Sequence, residues 1–439
     1  MQWLTKALVL VLLAGCGVSD PGATDTGAAD GMQPIKVQVV EHDGRYRLLR
    51  GGLTYRIKGA GIDPLHLDAL AANGGNSLRT WSVDRGPEQA GKLLDRAHAL
   101  GLSVSLCLEI APERFGLDYD DPEAVAAQFE RARAHVLKYK DHPALLTWII
   151  GNELNYDYKN PRVFAAVNDI ARMIHELDPN HPATTTLSGF EEETLADVER
   201  YAPDLDFLSF QIYGDLVNLP KHIAKANFTA PYFVTEWGAI GHWEVAKTSW
   251  GAPIEQTSSD KAASYARSYE KVLEPYGDQA IGNYVFLWGQ KQERTSTWYG
   301  MFLDSGESTE AVDVMHYIWN GRWPDNRAPR VKPPSLDNNT AINNVILAAG
   351  EDYEAAIEVI DDDGDRLRYR WELRHESTAT EVGGDQETIP PVIEGLIADP
   401  GQAVISLTAP AQSGAYRLFA FVYDDNNHAA HANIPFYVK

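Results

Sequence analysis

From residue 55 to about residue 321 the chain alternates eight times between a short apolar run rich in β-branched and aromatic residues and a helical stretch. The runs are RIKGAGI, NSLRTW, SVSLCLEI, LLTWIIGNE, ATTTLSG, FLSFQIYG, YFVTEWG and NYVFLWGQ. No other feature restricts the fold as tightly, because two parallel neighbours in a sheet must be joined by a long crossover, and a helix is the usual one. One stretch between runs, PEAVAAQFERARAHVLKYK, puts Val125, Phe129, Ala132 and Val136 on a single apolar stripe at helical spacing. Eight such units within roughly 265 residues match the size of a (β/α)8 barrel. A doubly wound open sheet gives a similar alternation. The barrel further predicts that chemistry gathers at strand C-termini, and polar residues do close these runs.

At 439 residues the chain exceeds what one core usually holds. The Pro-rich stretch GRWPDNRAPRVKPPSLDNNTAINN marks a boundary near Pro329, and short strand-like runs separated by turns follow it. The expected organisation is a barrel domain over 35–323 that includes an N-terminal hairpin turning at Asp43-Gly44 and Gly51-Gly52, a linker over 324–344, and a β-sandwich over 345–439. The fold class read here is α/β, a TIM barrel followed by a small all-β immunoglobulin-like sandwich. In the sandwich, Asp361, Asp362, Asp363 and Asp365 form either a Ca²⁺ site or a solvated acidic turn, and no EF-hand pattern follows them.

The first residues, MQWLTKALVLVLLAGCGVSD, carry one lysine before an apolar run too short to span a bilayer, as in a secretory signal. Leu13-Ala14-Gly15-Cys16 resembles the bacterial lipobox, which implies lipidation of Cys16, a signal over 1–16, a flexible tether over 17–34 and, with Gly17 next, an outer-membrane location. The one other cysteine, Cys107, lies in an apolar run and reads as a core residue. A balance of 38 basic against 62 acidic residues, net −24, repels phosphate backbones, so nucleic acid is not an expected partner. No His/Cys cluster has metal-ligand spacing and no glycine pattern cradles a nucleotide, so neither metal nor cofactor is expected.

Two apolar runs each lead into a glutamate, LLTWIIGNE to Glu153 and YFVTEWG to Glu236. In the barrel reading these close strands four and seven, which face each other across the ring. A single carboxylate there could be a structural salt bridge; two suit acetal cleavage, which needs a proton for the leaving oxygen and negative charge against the oxocarbenium ion. The pair must then differ in pKa, with Glu153 protonated and Glu236 ionised.

These motifs resemble the large clan of retaining (β/α)8 glycoside hydrolases that includes families 2 and 5, with GNSLRTW and the hairpin YRLLRGGLTYRIKGAG closest to a family 2 barrel. The resemblance implies Glu153 as acid/base, Glu236 as nucleophile, Asn152 on the sugar 2-hydroxyl, and Arg79 and Tyr213 beside the nucleophile. It also implies Trp288 as the floor of the subsite that holds the cleaved sugar. Trp81 joins these as a substrate contact, and Trp243 and Trp298 on the loops after strands seven and eight are candidate sugar platforms. The family 5 histidines have no clear counterpart; Glu109 occupies one such region, and the N-terminal domains usual in family 2 are absent from this sequence. The stretch IDDDGDRLRYRWEL resembles PKD-like and cadherin-like modules appended to bacterial secreted enzymes.

The expected function is therefore a lipid-anchored, extracytoplasmic retaining β-glycosidase acting on an oligo- or polysaccharide, with a β-glucan preferred. The alternatives are a transglycosylase using the same two glutamates and a non-catalytic glycan-binding lipoprotein.

Overall fold

The computed structural model describes residues 33–62, 64–83, 90–275, 277–381 and 383–439. Cys16, the signal and most of the tether lie outside these residues. Among the described residues no helix is long and apolar enough to cross a membrane.

The described residues open with an antiparallel sheet of β1 (Val37–His42), β2 (Arg45–Arg50) and β3 (Leu53–Thr54), turning at Asp43-Gly44 and Gly51-Gly52 as expected. Barrel strands follow: β4 (Gly59–Ile62), β5 (Ser77–Arg79), β6 (Ser103–Leu108), β7 (Leu145–Ile150), β8 (Ala183–Thr184), β9 (Thr186–Ser188), β10 (Leu208–Gln211), β11 (Tyr232–Gly238) and β12 (Ala280–Trp288). All pairings among them are parallel. The sheet runs β8-β7-β6-β5-β4-β12-β11-β10-β9. Its two ends, β8 and β9, are halves of one strand interrupted at Thr185, the first half bonded to β7 and the second to β10. The ring therefore closes as eight strands, the fifth of them broken.

Among the described residues eight α-helices lie between and after the strands: α1 (Leu67–Ala72), α2 (Ala90–Ala99), α3 (Pro122–Tyr139), α4 (Arg162–Leu177), α5 (Glu192–Tyr201), α6 (Leu219–Ala226), α7 (Ser258–Ser268) and α8 (Glu310–Asn320). Helix α3 starts where the sequence signals a start. The Asp121 carboxylate accepts from the backbone N–H groups of Glu123 and Ala124, and Pro122 fills the first helical position. Strands β6 and β7 are buried along their whole length, as a parallel sheet covered on both faces requires. Cys107 sits in β6 without exposure. Val37 and Leu48 of the hairpin sheet pack with Ile57, Leu146, Phe207, Phe233, Ile281 and Tyr284 in a separate apolar cluster.

Beyond α8 come two four-stranded sheets. One orders β14 (Ser335–Leu336), β16 (Asp352–Ala356), β20 (Val404–Thr408) and β19 (Ile397–Ala398); the other orders β15 (Ile346–Leu347), β22 (Ala429–Val438), β21 (Gly414–Tyr423) and β18 (Arg368–His375). A short pair, β13 (Arg330–Val331) with β17 (Val359–Ile360), joins them. Their apolar residues, Trp371, Leu418, Ile434 and Phe436 among them, form a core distinct from that of the barrel, consistent with a β-sandwich. The acidic run 361–365 is spent on local contacts: Asp362 pairs with Arg327 and Arg330, Asp363 accepts from the Arg327 backbone, and Asp365 accepts from Asn326 and Asn426.

Barrel and sandwich meet in a buried polar seam. The Glu255 carboxylate accepts from Lys261 (2.5 Å), Thr297 (2.8 Å), Thr295 (2.6 Å) and Asn433 of the sandwich (2.6 Å). Burial alone would push its pKa up, but the Lys261 charge and these donors bring it down to about 2. Arg417 of β21 forks onto Glu376, donates to Asn433 (2.6 Å), and reaches the Pro253 carbonyl of the barrel (2.8 Å). Every one of these charges is paired, which is the condition for burying them without a large penalty.

Candidate active site

The C-terminal mouth of the barrel opens into a cavity of about 1360 Å³. Its lining includes Trp81, Asn152, Glu153, Tyr213, Glu236 and Trp243, so six of the positions anticipated above share one space. Arg79 lies beneath them, wholly buried.

Glu236 is carried by β11, and the register explains its aim. Against β10, Phe210 pairs with Val234 but the next residue, Gln211, pairs with Glu236; against β12, Val234 pairs with Asn283 and Trp237 with Val285. One extra residue is thus inserted around Thr235-Glu236 relative to both neighbours, a bulge of the kind that redirects a side chain. The carboxylate accepts three hydrogen bonds: Arg79 Nη1 (3.0 Å) and Trp81 Nε1 (2.7 Å) on Oε1, and the Tyr213 hydroxyl (2.6 Å) on Oε2. Trp81, anticipated as a sugar contact, also holds this carboxylate. Its ring passes so near Gly61 that a Cβ there would stand 3.0 Å from it, which accounts for glycine in β4. Burial, and then the neighbouring Glu236 charge, push the Tyr213 pKa well above its ordinary value, so this hydroxyl stays a donor.

Strand β7 ends at Ile150, and Glu153 does not close it as the sequence reading expected. Glu153 sits three residues on, in the turn, with φ +49°. A left-handed conformation costs a residue with a Cβ roughly 1–2 kcal/mol. The turn is held by the Glu153 N–H, which reaches the Thr186 carbonyl and hydroxyl (both 3.2 Å), and by the Tyr156 N–H on the Glu153 carbonyl (2.9 Å). The Glu153 carboxyl is pushed up to about 8, first by burial and then by the Glu236 charge, against the opposing pull of Arg79 and a hydrogen bond from Ser188. It therefore holds a proton at neutral pH while remaining in the field of a second carboxylate.

Arg79 ties the two halves together. Besides Glu236 it donates Nη2 to Asn152 Oδ1 at 2.7 Å, and Gln211 Nε2 donates to the same oxygen at 2.8 Å. A guanidinium only donates, so the atom it faces must be the amide oxygen, which leaves the Asn152 NH₂ free to donate elsewhere.

Two anticipated residues lie elsewhere. Trp288 is fully buried against Phe302 and Trp319, its Nε1 on the His66 carbonyl (3.2 Å), and does not line the cavity. The cause is another register shift: β12 pairs Val285 with Ala60 and Trp288 with Ile62, three steps against two, so the final tryptophan leaves the face toward which alternation pointed. Phe286 and Leu287 line the mouth instead. Trp298 is also buried, bonded to the Ile240 carbonyl (2.9 Å) and stacked edge-on with His242; it braces the loop after β11 and is not a platform. Trp243 is 55% exposed at the mouth, edge-on to Tyr213.

Sequence reasoning missed Gln211, although a polar residue inside FLSFQIYG was a signal. It also missed Glu244, whose carboxylate accepts from the N–H groups of Gly214, Asp215 and Gly241 (2.7–2.9 Å) and so staples the loop after Tyr213 to its own. A third omission, the Glu293–Lys291 ion pair that His242 also contacts, had no spacing to betray it.

Residues 92–305 match the family model described as glycosyl hydrolases family 2, TIM barrel domain. A search of curated proteins finds no match. Among solved structures, β-glucuronidase 2 of Bacteroides uniformis, covalently bound to cyclophellitol-6-carboxylate aziridine, is 14% identical with a TM-score of 0.51 over 92% of this chain and 48% of that one. The β-D-glucuronidase of Dictyoglomus thermophilum is 17% identical with a TM-score of 0.51 over 66% of this chain and 54% of that one. The Ruminococcus gnavus β-glucuronidase in complex with a C6-substituted uronic isofagomine is 12% identical with a TM-score of 0.50 over 65% and 53%. The chain spans about half the length of the solved structures it matches. At these identities the likeness is one of fold, and family match and fold together are those of a glycoside hydrolase barrel.

Proposed function

We propose that this protein is a retaining β-glycosidase working by double displacement, with Glu236 as nucleophile and Glu153 as acid and then base. The observation that carries the reading is the asymmetry of two carboxyls in one cavity. Glu236 faces three donors, as a carboxylate poised for attack on an anomeric carbon would, while Glu153 keeps its proton to about pH 8. In the first step Glu236 forms a bond to the anomeric carbon as the glycosidic C–O bond breaks, and the Glu153 proton passes to the leaving oxygen. In the second, Glu153 takes a proton from water, whose oxygen displaces Glu236. The free Asn152 amide hydrogens would hold a hydroxyl of the reacting sugar.

The substrate we favour is a β-glucan. The support is the size of the cavity, above the volume that encloses a single small ligand, and exposed aromatic surface at its rim. Lipidation at Cys16 and placement at the outer membrane belong to the same proposal; Cys16→Ser should then move the protein from the membrane to the soluble fraction.

The test is a panel of defined β-linked oligosaccharides followed by proton NMR. Release of the β-anomer first is expected, and α-anomer first, or turnover unchanged in a folded Glu236→Gln variant, overturns the assignment. An added acceptor sugar in the same assay separates hydrolysis from transglycosylation.

A further inference from the structure

Among the described residues lining the cavity, Phe115 and Trp243 are the large apolar side chains that stay more than half exposed, at 58% and 55%. They stand on the loops after the third and seventh strands, opposite points of the ring.

The sandwich reaches the same rim. Between β18 and β19 its chain returns to the barrel, and Gly383, Gly384 and Asp385 line the cavity. That segment is fastened on both sides. Arg114, next to Phe115, forks onto Asp385 (Nη1 to Oδ2 3.0 Å, Nη2 to Oδ1 3.3 Å). On the loop after the eighth strand, Arg294 donates its N–H and Nη1 to Glu387 (2.6 and 2.8 Å), and its guanidinium also reaches the carbonyls of Ala379 (2.6 Å) and Glu381 (2.9 Å). The backbone of Gly383 and Gly384 lies flush on barrel cations. A Cβ on Gly383 would stand 2.9 Å from Arg114 Nη2 and one on Gly384 3.2 Å from Lys291 Nζ, both at positive φ.

Charge says what this rim can hold. Arg114 is matched by Asp385, and Lys291 by Glu293 at 2.7 Å. Both cations that touch the segment are thus matched by carboxylates, beside a ring with one face under the Arg114 guanidinium at 4.1 Å and the rest exposed. Paired ions with free hydrogen-bonding positions suit the hydroxyls of a neutral sugar; a carboxylate would have to compete with Asp385 for its arginine.

We propose that the sandwich completes an outer sugar subsite on the barrel rim. Phe115 stacks on a neutral sugar unit of the glycan, and Arg114, Asp385 and the Gly383-Gly384 backbone bind its hydroxyls. Glu387 and Arg294 are positioning residues that hold this wall in place. The proposal rests on the glycosidase reading above and extends it to a part of the chain outside the barrel.

The test compares wild type, Phe115→Ala and Glu387→Ala on a β-linked glucotetraose and on 4-nitrophenyl β-glucoside, reading the ratio of the two kcat/KM values. Loss of one aromatic platform should lower that ratio by about fivefold or more in Phe115→Ala, through KM for the tetraose. Glu387→Ala should lower it in the same sense, again through KM, although Glu387 itself does not line the cavity. A smaller fall in Phe115→Ala, or equal losses on both substrates in both variants, overturns the subsite. If wild type cleaves neither compound, the glycosidase reading on glucosides fails separately. Calorimetry with the uncleaved tetraose then decides the subsite: weaker binding to Phe115→Ala supports it, and equal binding or none overturns it. A tetraose ending in glucuronate that is preferred over the neutral one overturns the choice of a neutral sugar.

Discussion

At the scale of single residues, the two glutamates proposed as the catalytic pair make opposite demands on the same field. Because kcat/KM follows groups of the free enzyme, it should fall as pH rises through about 8, where Glu153 loses its proton. Replacing Glu236 with Gln removes the charge that helps hold that proton. The Glu153 titration, followed by carbon-detected NMR, should move to lower pH while turnover drops about a thousandfold or more. The same shift acts on stability in a defined direction. Between the ordinary glutamate value and about 8 the native state binds a proton that the unfolded chain has released, so the fold loses stability as pH rises across that window. Glu153→Ala should lose roughly 10²–10⁴-fold on substrates with poor leaving groups. It should lose far less in the glycosylation step on a dinitrophenyl glycoside, whose leaving group needs no proton. Both glutamates were legible because an acid terminating a dry run is costly and therefore noticeable. The turn that carries Glu153 was not, since nothing in GNELN announces a left-handed glutamate where glycine is the usual occupant.

At the scale of elements, alternation identified the barrel and failed only where a strand gains a residue. The family resemblance put Trp288 in the mouth; the shift between Val285 and Trp288 removes it and leaves Phe286 there. Register shifts of this sort depend on the neighbouring strand, which one strand's own sequence does not contain. The two aromatics should therefore respond differently. Trp288→Ala should cost about 3–5 kcal/mol in denaturant unfolding, with KM little changed in the protein that folds. Phe286→Ala should raise KM with a smaller loss of stability. The broken fifth strand illustrates the same limit: ATTTLSG reads as one strand, yet its halves bond different neighbours on either side of Thr185.

At the scale of the whole molecule, the Pro-rich stretch suggested two units joined by a linker, and the structure joins them far more closely. A linker's composition carries no information about hydrogen bonds made between the two units, such as Arg417 to the Pro253 carbonyl or Asn433 to Glu255. Breaking the seam by Arg417→Ala leaves the part-buried Glu376 without its cation and should destabilise the protein by about 3 kcal/mol. Calorimetry should show wild type melting in a single transition that splits in the variant. Acid should open the same seam: the low pKa of Glu255 supplies stability above the ordinary glutamate value that is lost as pH falls toward about 2. The clamp between Arg114 and Asp385 joins residues 271 positions apart. A ribosome delivers the first partner long before the second. During that interval the nascent enzyme has its acids but an unfinished rim, so grip on long polymers would be the last property the chain acquires as it matures.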